Sequence, residues 1–236
     1  MRFLDPRPFD PGLSCDDPAN DSKADFSPPY DVALNELTRV WLFDSSKANG
    51  KASSAVDPVA TTHLALLSGL QAARPQEFNV FLSHHPHSAL VQTPQGVVRE
   101  AGTAGLQSVL RQAFGPQMLP PQFQLTMHGH LHLFEAQVAE PGHASTLIMG
   151  NSGSMMEAQP PMHASPHQVM AHGGQLKQLA SQPGHGFAWL ERSPKGGATD
   201  WLLTEYDTRG QAVVQCQFSP ETMNCRSLSS EQAVLH

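Results

Sequence analysis

The stretch "QFQLTMHGHLH" (residues 122–132) runs from a short apolar segment straight into histidines at every second position, His128, His130 and His132. Phe123, Leu125 and Met127 alternate with Gln122, Gln124 and Thr126, the period of a β-strand. The histidines therefore leave the strand at its C-terminal end. Upstream, "EFNVFLSHHPHS" (77–88) repeats the arrangement, a strand over 77–83 delivering His84, His85 and His87. Side chains two apart on an extended segment share a face, so His130 and His132 can both point into one site. Gly129 gives the backbone latitude at the turn and removes a side chain that would crowd a metal. Neutral imidazole suits zinc, iron, nickel and similar ions.

Working outward, "RVWLFDSS" (39–46) reads as a buried strand running into a polar turn, with Asp44 as the turn-forming residue ahead of Ser45 and Ser46. Residues 58–74 suit a helix with Pro58 in its first turn and Val59, Leu66, Leu67 and Leu70 on one face. A second helix is expected over 104–114. Strand, helix, strand, helix, strand is an α/β order, and ligands of such sheets gather outside the C-terminal strand ends, where both histidine groups fall. "LFEAQV" and "STLIMGN" follow as strands, and "GFAWLER", "DWLLTEYD" and "QAVVQCQF" close the chain as a meander. Residues 1–236 read as one domain, with an irregular Pro- and Asp-rich lead-in at 1–36, a long loop at 151–184 and a tail at 219–236.

The chain has 236 residues, 39% hydrophobic and 15% charged, enough for one substantial core. No apolar run reaches the roughly 20 residues a membrane-spanning helix needs. The net charge of -7 argues against nucleic acid as a partner, since phosphate backbones are bound by clustered Lys and Arg. No signal-peptide pattern precedes residue 36, so the chain as it stands reads as cytoplasmic, while an intact parent protein could still be exported. Cysteine is sparse: Cys15, Cys216 and Cys225. Cys216 and Cys225 are close enough for a disulfide in an oxidising compartment, and three free or buried thiols fit equally well.

"FLSHHPHS" followed about forty residues later by "MHGHLHLFEA" resembles the last two motifs of the calcineurin-like metallophosphoesterases. "RFLDPRPF", "DFSPPYDVAL" and "VWLFDSS" are similar to the segment after the third metal motif of bacterial members, and "STLIMGNSGS" to the turn beyond Gly-His-x-His. The resemblance implies part of a β-sandwich flanked by helices in α-β-β-α layers. It implies a phosphate ester as substrate, cleaved by a metal-activated hydroxide at a dinuclear centre of divalent or trivalent ions of the Fe, Mn or Zn type. Carried over, it assigns His84 and His130 to one metal and His132 to the other. His85, His87, His128 and Gly129 fall to the lining of the site, and no residue of the chain is assigned a proton-transfer role.

The family's Asp-x-His, Gly-Asp-x-x-Asp and Gly-Asn-His-(Asp or Glu) motifs are absent, and with them the carboxylate that would bridge two cations. The resemblance thus implies the C-terminal part of a phosphoesterase domain, inactive alone, from a truncated gene, a misplaced start or a split protein. Its N-terminal strands would be missing. It would then associate with a complementing N-terminal half, or with itself through an exposed sheet edge. Two readings stand beside it. Met149, Met155, Met156, Met162 and Met170 with His163, His167 and His172 would suit copper. A degenerate remnant would act as an interaction module.

Overall fold

The computed structural model describes residues 29–46, 48, 58–93, 95, 97–153, 155–157, 170–171, 174–193 and 196–228. In chain order the strands begin with β1 (Tyr30–Asn35), β2 (Thr38–Phe43) and β3 (Phe78–Ser83), then a small hairpin of β4 (Leu90–Gln92) and β5 (Val98–Glu100). They continue with β6 (Phe123–His128), β7 (Phe134–Ala139), β8 (Ser145–Met149), β9 (Met170–Ala171) and β10 (Gly174–Gln182). Four more close the chain: β11 (Gly186–Arg192), β12 (Trp201–Asp207), β13 (Ala212–Phe218) and β14 (Met223–Ser227). Helix α1 (Pro58–Leu67) links β2 to β3, and α2 (Ala104–Phe114) precedes β6.

One sheet has eight strands in the order β1-β2-β3-β6-β8-β7-β10-β9, and a second has β11-β12-β13-β14. The central strands β2, β3, β6 and β8 are parallel. Buried on both faces, they carry two apolar sets. Phe78, Val80, Leu125, Met127, Leu147, Phe134, Ala136 and Val138 pack against Trp201, Leu203, Val214, Cys216 and Phe218 of the second sheet. Trp41, Phe43, Phe81 and Phe123 pack on the other side against Leu67 and Leu70 of the α1 segment and Leu106, Val109 and Leu110 of α2. Each Val, Leu, Phe or Met side chain among them contributes roughly 1.5–3 kcal/mol by leaving water. The result is a mixed α/β chain dominated by a β-sandwich. Both helices lie on the outer face of the larger sheet, and a second helical layer has no counterpart among the described residues.

Several expectations are corrected. Part of the long loop expected at 151–184 is strand: β10 pairs antiparallel with β7 over Leu176–Gln182. A bulge between Leu176 and Gln178 shifts its register, so the buried Leu176, Leu179 and Ala180 follow a helix-like spacing that hides the strand. The lead-in ends in β1, which pairs antiparallel with β2 and turns where Leu37 N–H meets Asn35 Oδ1 at 2.8 Å. The tail contains β14, anchored by a disulfide between Cys216 and Cys225, which lie directly opposite each other. Between the two cysteine readings, the structure takes the bonded one. Cys15 lies outside the described residues. The helix expected over 58–74 is α1 followed by a 3-10 turn at Ser68–Ala72.

The eight-stranded sheet is wider than the four-stranded one. Val32, opposite Val40 and so on the inner face, is 43% exposed, and Leu34 is 45% exposed. On the outer face of the small sheet, Phe187 and Trp189 are 50% and 57% exposed, and Phe187 stacks on Tyr206 with ring centroids 5.2 Å apart. Both surfaces are apolar without a cover among the described residues. No helix among these residues is long and apolar enough to cross a membrane.

Candidate metal centre

Because β2, β3, β6 and β8 lie side by side and parallel, their C-terminal ends open onto one edge of the sheet. β2 delivers Ser45, β3 delivers His84 to His87, β6 delivers His128 to His132, and β8 delivers Gly150 to Gly153. His84, His85 and His130 come together there, each offering a ring nitrogen, with all three nitrogens within 4.8 Å of one another. His130 Nδ1 is 3.3 Å from His84 Nε2. Two nitrogens bound at 2.0–2.1 Å to a tetrahedral zinc-like ion would be about 3.3 Å apart, so this pair is at ligand spacing. The same spacing lets one ring donate an N–H to the other when no cation lies between them. The chemistry of the donor set fits a divalent transition ion: three imidazoles and an open side for further ligands.

His85 is held from two sides by one hydroxyl. Its backbone N–H donates to Ser45 Oγ at 3.1 Å, and its Nδ1 lies 3.0 Å from the same oxygen. With Nδ1 engaged by Ser45, Nε2 is the nitrogen left to take a metal. Burial, then the neighbouring His130 and His84, push the pKa of His85 down to about 4. His130 is lowered mainly by burial and by His84 and His132, against an opposing pull from Glu157. Both rings are therefore neutral near pH 7, the form that binds metal.

His130 has φ 63°, one of two non-glycine residues in the left-handed region among those described. Leu131 N–H meets Gly129 O at 2.8 Å and Leu133 N–H meets Leu131 O at 2.9 Å, so two tight three-residue turns are centred on His130 and His132. The first is the strained form with positive φ at its centre. The extended geometry expected for His130 and His132 is thus replaced by turns, although both still border one cavity. Gly129 does not carry the unusual conformation. A Cβ there would meet His84 Nδ1 at 3.7 Å, an ordinary contact. The demanding glycine is Gly150, where a Cβ would sit 2.0 Å from the Leu131 carbonyl oxygen. Its bareness lets the loop after β8 close on the histidine turns, with Gly150 N–H on Leu133 O at 3.0 Å.

His132 is outside the triad. Its Nδ1 lies 2.8 Å from the carbonyl oxygen of Met155. It lines an open cavity of about 570 Å³ with His84, His130, Gly150, Ser152, Gly153 and Glu157. His87 and His128 form a separate, buried pair joined Nδ1 to Nε2 at 3.1 Å. Ser83 Oγ donates to His85 O at 2.8 Å and so accepts from His128 Nδ1–H at 3.0 Å. That leaves His128 Nε2 to accept from His87 Nδ1–H. Burial first, then His87, hold His128 far below the usual imidazole pKa. With both nitrogens engaged, His128 supports the loop carrying His85. The Asp44 side chain accepts from Ser46 N–H at 3.0 Å, the predicted turn.

The sequence reading did not single out Ser45 as a support or Glu157 at all; each is remote in sequence from its partner and sits in no recognisable spacing. Most of the Met- and His-rich stretch, including Met162, His163, His167 and His172, lies outside the described residues. The side chain of Met170 does as well.

No family model matches this chain, and no curated protein matches it. Among solved structures it is similar to the purple acid phosphatase PPD1 from yellow lupin (Lupinus luteus) seeds, at 13% identity and TM-score 0.46, over 84% of this chain and 32% of that one. It is similar to PhoD at 9% identity and TM-score 0.46, over 87% of this chain and 45% of that one. It is also similar to GAP50, the anchor in the inner membrane complex of Plasmodium, at 16% identity and TM-score 0.37, over 85% of this chain and 52% of that one. The chain spans between about a third and a half of the length of these structures.

Proposed function

We propose that this chain binds a divalent transition cation through His84, His85 and His130 and belongs to a metal-dependent phosphoesterase. The observation that carries the reading is the convergence of the His84, His85 and His130 ring nitrogens, all within 4.8 Å of one another, on the C-terminal edge of the sheet, beside an open cavity. A bound cation there supplies Lewis-acid polarisation of a phosphoryl oxygen and lowers the pKa of water. The chain's own residues hold the cation: Ser45 orients His85, and the strained turn aims His130. In the two-metal form that the motif resemblance implies, His132 serves a second ion. The resemblance assigns no proton-transfer role to any residue of this chain, so the chain is expected to bind phosphate better than it turns over phosphate esters.

The test is metal-dependent phosphate binding. Calorimetry with Zn(II) and then inorganic phosphate is expected to show binding of phosphate only to the metal-loaded chain. Loss of the metal step in His85→Ala is expected as well. Phosphate binding equally well to the metal-free chain would overturn the reading, and so would an unchanged metal step in His85→Ala.

The partner in this reading is a complementing segment of the same domain, extending the small sheet past β11 and covering Val32, Leu34, Phe187 and Trp189. Their exposure supports it. An in-frame upstream segment carrying Asp-x-His and Gly-Asp-x-x-Asp is expected in the gene. Its absence, together with concentration-dependent dimers in light scattering, would favour self-association instead.

A further inference from the structure

We infer that Asn151 and Glu205 are positioning residues for the candidate centre: a buried pair that ties the loop after β8 to the second sheet and, through Gly150, holds the turn that aims His130. The inference rests on the metal-binding reading of the triad. Along β12, side chains two apart share a face. Trp201 and Leu203 belong to the core between the sheets, and Glu205 continues their row, fully buried. A carboxylate thus stands in an apolar row, where the β12–β13 register shifts between Glu205 and Tyr206. Its Oε1 accepts from Asn151 Nδ2 at 2.7 Å, while its Oε2 is buried with no partner among the described residues. Burying a carboxyl is costly unless its hydrogen bonds offset the loss of water, and the bond that this one makes is with Asn151.

Asn151 is itself buried and is held from more than one side. Its Nδ2 also donates to Gly184 O at 3.3 Å, and its backbone carbonyl accepts from Gly186 N–H at 3.1 Å. Glu205 Oε1 and Gly184 O both accept, so the amide nitrogen and not the amide oxygen faces them. One residue toward the histidines stands Gly150, whose N–H donates to Leu133 O at 3.0 Å and where any side chain would collide with the Leu131 carbonyl. Leu131 N–H in turn closes the turn centred on His130 by donating to Gly129 O at 2.8 Å, and His130 Nδ1 lies 3.3 Å from His84 Nε2. A continuous run of close contacts leads from the core of the second sheet to a ring nitrogen of the triad. Positive φ at His130 persists only where the surroundings hold it, and the backbone of Gly150, fixed by its neighbour Asn151, is the wall behind that turn.

Co(II) titration of the full chain, followed by visible absorption, tests the assignment, with far-ultraviolet dichroism and the unfolding midpoint read on each variant. Glu205→Ala removes the acceptor and is expected to weaken Co(II) binding about tenfold and to shift the visible bands. Glu205→Gln keeps an oxygen for Asn151 and is expected to retain the wild-type spectrum and affinity. Asn151→Asp sets a carboxylate against two acceptors, is expected to behave like Glu205→Ala, and carries the test if Glu205→Ala does not fold. A pair that only stabilised the fold would lower the midpoint and leave the spectrum and affinity of the folded chain unchanged in Glu205→Ala and Asn151→Asp, which would overturn the inference. Equal weakening by Glu205→Ala and Glu205→Gln would overturn it too, because the acceptor contact would then be irrelevant. A wild-type chain that takes up no Co(II) would instead sink the triad reading, so the two failures are distinguishable.

Discussion

Glu135 is fully buried on β7, on the face turned toward the β4–β5 hairpin, and its replacement by Gln should change how stability depends on pH. Its Oε1 accepts from Leu90 N–H at 3.0 Å and from Gln137 Nε2, while Gln137 Oε1 accepts from Ser88 Oγ at 2.8 Å. The polar group thus pins the segment that follows His87. Burial is the largest influence and raises the Glu135 pKa from 4.5 to about 8, against the two hydrogen bonds, which lower it. The folded state therefore holds a proton that the unfolded chain releases above about 4.5. Bound protons are then fewer in the unfolded state, so stability falls as pH rises from about 4.5 to about 8 and levels off above that. At about 1.4 kcal/mol per tenfold change, the full window is worth roughly 5 kcal/mol, comparable with the whole stability of a small domain.

Glu135→Gln removes that dependence. The amide oxygen keeps both acceptor contacts. The amide nitrogen falls where Oε2 has no partner among the described residues, which costs about 1–3 kcal/mol. The variant should be less stable than the wild type at pH 5 and more stable at pH 8.5, the two curves crossing between. Urea unfolding at four pH values, with equal m-values for the two chains, gives the difference directly and cancels every other titrating group. A difference that stays constant across pH 4.5–8.5 within about 1 kcal/mol would refute the reasoning.

Ser45→Ala should weaken Zn(II) binding by about 10–100-fold and lower stability by about 1–3 kcal/mol, since the buried His85 loses the partner of both its backbone N–H and its Nδ1; a competition titration against a chromophoric chelator reads the first and urea unfolding the second. Gly150→Ala should lower stability by about 1–3 kcal/mol or more in thermal unfolding, because its Cβ would meet a backbone carbonyl and not a movable side chain. It should also alter the Co(II) spectrum, whereas an unchanged midpoint would mean that the two loops separate at little cost. Reducing the Cys216–Cys225 bond, which closes a short loop of sequence separation 9, should cost about 2–3 kcal/mol in urea unfolding with and without reductant.

The two histidine-bearing strand ends were legible because their signals are local. A period-two apolar run predicts β3 and β6 without knowledge of any neighbour, and the histidines follow within three residues. The helices and the closing meander were legible for the same reason. β10 was not, because its bulge breaks the alternation that marks a strand, and β14 was not, because only its pairing with β13 sets Met223 and Cys225 inward.

The sequence by itself determined that two histidine groups stand at strand ends and that the chain is a mixed α/β protein. Only the tertiary structure decided which histidines share a site. His85 joins His84 and His130 because β2 lies beside β3 and brings Ser45, forty residues away, against its ring. His132 turns aside because the backbone of Gly129 to Leu133 folds into tight turns and the loop carrying Met155 captures its Nδ1. Strand adjacency and ring tautomer are set by contacts between distant segments, and no spacing along "MHGHLH" encodes them.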